Sequence, residues 1–183
     1  MVVRLARLAP PLECVRLYDL EAGLDGFIAI HSTALGPGAG GCRFWSYPDM
    51  RHALGDAMRL AEGMSYKNAL AGLPLGGAKA VLRRPEGEFD RVALFRAFGR
   101  AVENLGGLYV TAEDVGTSVA DMQEVASVSR HVAGLPNVEG RAGGDPSPWT
   151  AKGVFDSMRV AAGFALGRDL KGLTVAGQGT GIV

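Results

Sequence analysis

The chain has 183 residues, enough for one full domain and part of a second. Hydrophobic residues make up 48% and charged residues 21%, the balance of an ordinary globular protein, and 19 basic residues cancel 19 acidic ones. That neutrality leaves no electrostatic footprint for nucleic acid or an anionic membrane, and no apolar run is long enough to span a bilayer.

In chain order, Val2 to Pro11 reads as a short helical arm, and Cys14 to Asp19 alternates like a strand. The turn residues Glu21 to Gly26 lead to a second strand, Phe27 to His31, and the pair reads as a hairpin. Gly36-Pro37-Gly38-Ala39-Gly40-Gly41 follows, either a loop whose bare backbone admits a ligand or a plain turn. Cys42-Arg43-Phe44-Trp45 begins another strand. Cys14 and Cys42 are the only cysteines, and no His/Cys cluster has metal spacing. A reduced, cytoplasmic setting and no metal are therefore expected, and Met1-Val2-Val3-Arg4 lacks the apolar core of a secretory signal.

Asp49 is placed to cap a helix from Met50 to Ala71, where Ala53, Leu54, Ala57, Met58, Leu60, Ala61 and Met64 recur at helical spacing. Gly72-Leu73-Pro74 ends it, and Ala78 to Leu82 reads as a buried strand. A second amphipathic helix runs from Val92 to Leu105 and is closed by Gly106-Gly107. The strand Leu108 to Thr111 runs into Ala112-Glu113-Asp114-Val115-Gly116-Thr117, which puts Asp114 at a carboxyl end, where open α/β sheets bind ligands. Asp114 serves either there or as a cap for the helix Ser118 to Val128, a task that Thr117 or Ser118 could take instead. After a Gly- and Pro-rich loop, Pro148 opens a helix to about Leu166, and Leu173 to Ala176 reads as a strand leading to Gly177-Gln178-Gly179-Thr180-Gly181. A strand followed by Gly-x-Gly is how a dinucleotide-binding fingerprint begins.

Two lysines stand out. Lys67 falls near a helix end, and Lys79 follows Gly76-Gly77 into an apolar run. A helix end, a glycine turn and a strand start can bring both ammonium groups into one cleft. Mutual repulsion and desolvation there would lower both pKa values, as a reactive amine requires; the alternative is two solvated surface lysines.

Taken together, these segments resemble the Glu/Leu/Phe/Val amino-acid dehydrogenases, nearest the leucine and phenylalanine branch. The resemblance is carried by Leu35 to Arg43, Gly63 to Ala69, Leu75 to Lys79, Thr111 to Thr117 and Pro146 to Ala151, in family order from about Cys14 to Val183. It implies an α/β fold: a three-layer first domain over residues 1–145, a mixed sheet flanked by helices, and over 146–183 the opening helix and strand of an NAD-binding Rossmann domain. By the same resemblance Lys67 would bind the substrate α-carboxylate with the backbone of Gly40 and Gly41, and Met64, Ala39 and Ala112 would line the substrate site. Lys79 would be the catalytic lysine, acting through water, and Asp114 would shuttle protons to the amine without being locked in a salt bridge. Thr150 would sit near the nicotinamide, and Gly177, Gly179 and Gly181 would belong to the NAD site.

The implied reaction is NAD-dependent, reversible oxidative deamination of an apolar L-amino acid to a 2-oxo acid and ammonia, by a homo-oligomer. Glutamate is a poor candidate, because Ala39 stands where relatives that use it carry a lysine for the side-chain carboxylate. Family members continue for roughly one further domain of common size. The expectation is thus a chain truncated at the start of the NAD-binding domain and inactive alone, or a non-catalytic assembly module of the same descent. Cys42 stands at a position often occupied by threonine and is read as a buried, inert thiol, and Gly177 replaces a strand valine.

Overall fold

A computed structural model describes residues 3–8, 12–136, 143–144 and 146–178. Seven strands form one mixed sheet: β1 (Val3–Leu8), β2 (Leu12–Asp19), β3 (Leu24–Ser32), β4 (Gly38–Ala39), β5 (Cys42–Trp45), β6 (Gly76–Arg83) and β7 (Tyr109–Val110). Their order is β1-β2-β3-β6-β4-β7, with β5 also paired to β6. From β1 through β2 and β3 to β6 each strand is antiparallel to the next, whereas β4 and β5 run parallel to β6, and β4 parallel to β7. The helices are α1 (Met50–Leu70), α2 (Arg91–Glu103), α3 (Val119–Ala126) and α4 (Ser147–Leu166).

The layers follow from strand parity. Alternate residues of a strand face opposite sides. Ala78, Ala80 and Leu82 of β6 join Ile28, Ile30, Leu94, Phe95, Phe98, Val102 and Met122 in the larger core, under α2 and α3. Val81 joins Phe27, Ala29, Ala53, Ala57 and Ala61 in a smaller core under α1. The expected three-layer arrangement is thus a sheet between α1 on one face and α2 with α3 on the other.

The first three helices start at residues whose side chains cap them. The Asp49 carboxylate accepts N–H groups of Arg51 and His52 at the head of α1, and Asp90 accepts Ala93 N–H at the head of α2. Ser118 and Asp121 form a reciprocal capping box on α3, so Asp114 is not needed as a cap. An alanine stripe, Ala53, Ala57 and Ala61, lets α1 lie close on the sheet. The approach is so close that a Cβ on Gly77 would stand 2.1 Å from Ser65 Oγ and 2.2 Å from Ser65 N.

Three expectations are corrected. The first segment is a strand, not a helical arm: β1 pairs antiparallel with β2 from Val3 opposite Arg16 to Leu8 opposite Leu12, and an available sheet edge outweighs ambiguous periodicity. The glycine loop contains a strand of its own, β4, paired on both sides. Leu173 to Ala176 forms no strand; Val175 is exposed, and a strand needs a partner that the described residues do not offer. Among the described residues, no helix is long and apolar enough to cross a membrane.

Candidate active site

The site lies on the α1 face of the sheet, at the carboxyl ends of β4, β7 and the start of β6. Strand parity puts Lys79 between Gly77 and Val81 on that face, and its side chain is buried. The turn after β7 delivers Asp114. It is fixed by Cys42 N–H donating to Ala112 O (2.8 Å), by Asp114 N–H donating to Thr117 Oγ1 (2.8 Å) and by the Thr117 hydroxyl within 3.0 Å of Cys42 O. Gly41 makes room for it, since a Cβ there would stand 2.8 Å from Asp114 Cβ and 2.5 Å from Glu113 O.

Lys79 Nζ stands 3.0 Å from Asp114 Oδ2, and Arg43 Nε stands 3.2 Å from the same oxygen. Arg43 Nη1 also reaches Asp56 Oδ2 on α1 at 2.9 Å, and that carboxylate accepts the Tyr47 hydroxyl at 2.6 Å and Arg59 Nη2 at 2.6 Å. Burial holds the Lys79 ammonium below its ordinary pKa; Asp114 opposes that shift, and Arg43 adds to it. For Asp114 burial works upward, but Lys79 and Arg43 outweigh it and hold the carboxyl below its ordinary value. The result is a desolvated amine, biased toward losing its proton, beside an acid that stays ionised.

Arg43 is a cation that meets Asp114 beside Lys79. Lys67 is exposed on the last turn of α1 and forms no ion pair among the described residues. It follows Met64 by one helical step on the same side of α1. Met64 leans on the glycine loop, its Cγ 3.1 Å from where a Gly40 Cβ would be. The inward residue of that turn is Asn68, whose Nδ2 donates to Gly76 O at 2.6 Å. Gly40 N–H already donates to Val110 O (3.2 Å), so the contribution open to Gly40 is close approach of its backbone. Asp114 is engaged by both cations, where the sequence reading expected an acid outside any salt bridge.

Ala39 and Ala112 are half-buried beside the site, on β4 and on the turn after β7. Of the residues expected at a nucleotide, Thr150 and Gly177 are described. The Thr150 hydroxyl donates to Pro146 O (3.2 Å) in the first turn of α4, and Gly177 is exposed with nothing within 4 Å of its ideal Cβ. Gly179 and Gly181 lie outside the described residues. Cys42 is fully buried and burial pushes its thiol well up, which makes it inert.

Sequence reasoning missed Arg43, Asp56, Tyr47 and Tyr109. The Tyr109 hydroxyl, wholly buried, donates to Gly40 O at 2.7 Å and so holds the glycine loop from below. A signal existed for Arg43: a cation between Cys42 and Phe44 in an apolar strand must find an acid.

The profile of the "Glu/Leu/Phe/Val dehydrogenase, dimerisation domain" matches residues 15–131. The chain is 51% identical over 166 residues to a leucine dehydrogenase of Geobacillus stearothermophilus, covering 90% of this chain and 45% of that one. It is 48% identical over 172 residues to a valine dehydrogenase of Streptomyces virginiae, covering 93% and 48%. Among solved structures it resembles L-tryptophan dehydrogenase from Nostoc punctiforme, with a TM-score of 0.61, 37% identity, and coverage of 76% of this chain and 38% of that one. The chain thus spans about half the length of the curated relatives it matches.

Proposed function

This chain belongs to the Glu/Leu/Phe/Val dehydrogenase family, and from that premise we propose that it supplies the substrate-binding and assembly half of an NAD-dependent dehydrogenase for an apolar L-amino acid. The reaction is reversible deamination to a 2-oxo acid and ammonia. In this reading residues 1–145 form the substrate domain and 146–183 open the cofactor domain. The observation that carries it is the buried Lys79 paired with half-buried Asp114, 3.0 Å apart, set against a glycine loop on which Met64 leans.

In this reading the chain's own residues bind, orient and move protons. Lys67, one helical step beyond Met64, attracts the substrate carboxylate toward the loop, where Gly40 and Gly41 let the zwitterion approach the backbone. Lys79, biased toward the neutral amine, takes a proton from the water that adds at the carbon losing nitrogen. Asp114 exchanges protons with the amine through Oδ1, because both cations close on Oδ2. Ala39 and Ala112 offer no charge to a substrate side chain. A buried side-chain carboxylate would be left unpaired there, which favours leucine-like, valine-like or phenylalanine-like substrates over glutamate.

The described residues do not compose an NAD cradle: no strand leads into Gly177, and its surroundings are open. We therefore expect the 183-residue polypeptide to bind an oxo acid without turning it over. Calorimetry with 2-oxoisocaproate and 2-oxoglutarate tests the reading: the apolar acid binds, the diacid does not, and Lys79→Ala or Asp114→Asn weakens binding at least about tenfold. Preference for the diacid would overturn the substrate class, and NAD-dependent deamination of leucine by this polypeptide would overturn its inactivity.

A second reading, an assembly module without catalysis, is favoured by one observation. Among the described residues β1 is an edge strand of the sheet, and the apolar residues Trp149, Phe155, Val160 and Phe164 of α4 are exposed. Size exclusion with light scattering tests for a homo-oligomer, and a strictly monomeric species would count against assembly.

A further inference from the structure

Arg43 occupies a place that neither a packing role nor substrate capture explains. It stands on β5 between buried Cys42 and Phe44, and its side chain is 23% exposed. One edge of its guanidinium, Nε, meets Asp114 Oδ2 at 3.2 Å, and another nitrogen, Nη1, meets Asp56 Oδ2 at 2.9 Å. Asp56 in turn is held on α1 by the Tyr47 hydroxyl and by Arg59. A planar fork can bridge two carboxylates in this way, and a point-like ammonium cannot. The oxygen of Asp114 that Arg43 holds is the one that Lys79 also meets.

We propose that Arg43 is a positioning residue: it ties Asp114 to α1 through Asp56 and keeps the acid from closing on Lys79 as an undivided ion pair. This rests on the reading of Lys79 and Asp114 as the working pair. Two consequences follow. Asp114 keeps a fixed orientation while protons come and go, since the guanidinium does not titrate in the working range. Lys79 receives only a share of the acid's stabilisation and also feels a fixed positive charge, so its proton is held less tightly. The groups facing Lys79 are Asp114, Arg43 and the Cys42 thiol; the thiol is kept neutral by burial, so the balance lies between the first two.

The chain has four lysines, Lys67, Lys79, Lys152 and Lys171, so lysine labelled with carbon-13 at Cε gives a spectrum in which each can be followed against pH. In Arg43→Gln the midpoint of Lys79 is expected to rise by about one pH unit, about tenfold in its ionisation constant, with the other three unchanged. An unchanged or lowered Lys79 midpoint in a folded Arg43→Gln chain overturns the proposal. Should that variant not fold, Arg43→Lys carries the same test. It keeps a charge but cannot bridge both acids, so a rise of about half a pH unit, about threefold in the ionisation constant, is expected and no rise overturns the proposal. A purely structural role for Arg43 would shift the unfolding midpoint and leave the Lys79 titration where it was. Failure of oxo-acid binding in the unsubstituted chain would sink the substrate reading while leaving this titration intact, so the two can fail separately.

Discussion

At the scale of single residues, the pair Lys79–Asp114 has a pH signature whose sign can be worked out. The ordinary value for the acid is 3.8, and in the fold burial, which would raise it, is outweighed by Lys79 and Arg43. A carboxyl depressed in the folded state stabilises above its unfolded pKa and loses that contribution as pH falls through the folded one. Asp56 is depressed as well: burial works upward, and its bonds from Tyr47, Arg59 and Arg43 outweigh it. Lys79 works at the other end. Its folded pKa lies below 10.5 chiefly through burial, so the fold disfavours the ammonium, and that penalty is relieved as pH rises through the folded value toward the unfolded one. Asp114→Asn should remove part of the acid limb and leave a buried ammonium beside Arg43 with no anion. At neutral pH the expected loss is about 1–3 kcal/mol, the lower part of that range reflecting the partial exposure of Asp114. Urea midpoints measured across pH check it: the variant should show a flatter acid limb and a rise beginning at lower pH than in the unsubstituted chain. Identical pH profiles would mean that the pair is not coupled to folding. The acid and the lysine were legible in the sequence because the acid comes just after a strand and the lysine follows a glycine pair into an apolar run. Their third partner was not, because Arg43 and Asp56 are brought together by the packing of α1 on the sheet, which no local pattern announces.

At the scale of elements, the sequence leaves the loop Gly36 to Gly41 either as backbone cleared for a ligand or as a plain turn. The structure gives the glycines around the site a packing task. Gly38, Gly40, Gly41, Gly76 and Gly77 lie where β4, β6, β7 and α1 come together, and at each an added Cβ would meet protein atoms at under 3.0 Å. Gly77 is the case that bears on the helix, because its neighbours include main-chain atoms of α1: Ser65 N at 2.2 Å and Ala61 O at 2.6 Å. Gly77→Ala should therefore push α1 from the sheet and cost about 3 kcal/mol. Adding Ser65→Ala removes the hydroxyl at 2.1 Å but leaves the main chain in place, so the double variant should recover little. Chemical denaturation of both variants measures this, and a change in Gly77→Ala of less than about 0.5 kcal/mol would show that the helix yields freely. Helix heads were legible because Asp49, Asp90 and Ser118 carry their capping chemistry in their side chains. The first strand was not, since Val3 to Leu8 suits either period and its state is settled by β2, the strand next to it.

At the scale of the whole molecule, burial is unevenly shared. Residues 12–136 carry both cores, with Ile28, Leu82, Leu94, Phe95, Phe98 and Tyr109 fully buried. The helix α4 contributes Ala162 alone, while Trp149, Val160 and Phe164 are 76%, 72% and 94% exposed. An isolated helix of this length is marginal in water, and most helical stability comes from a packed face. Removing residues 146–183 should therefore leave the stability of the remainder within about 0.5 kcal/mol, because almost no apolar area is lost from either core. Hydrogen exchange on the intact chain should divide in the same place: amides of β3, β6 and α2 exchange at the rate of global unfolding, and those of α4 and Val175 far faster. The truncated and intact chains, compared by urea unfolding and exchange, decide the point together. Strong protection of Val175 in a monomer, or a large loss of stability on truncation, would mean that α4 and the segment after it pack against residues 12–136 far more firmly than their exposure implies. The opposite result would mark α4 as a surface whose apolar side chains are covered by more polypeptide when the protein works, the arrangement that the proposed division of labour between substrate and cofactor halves requires.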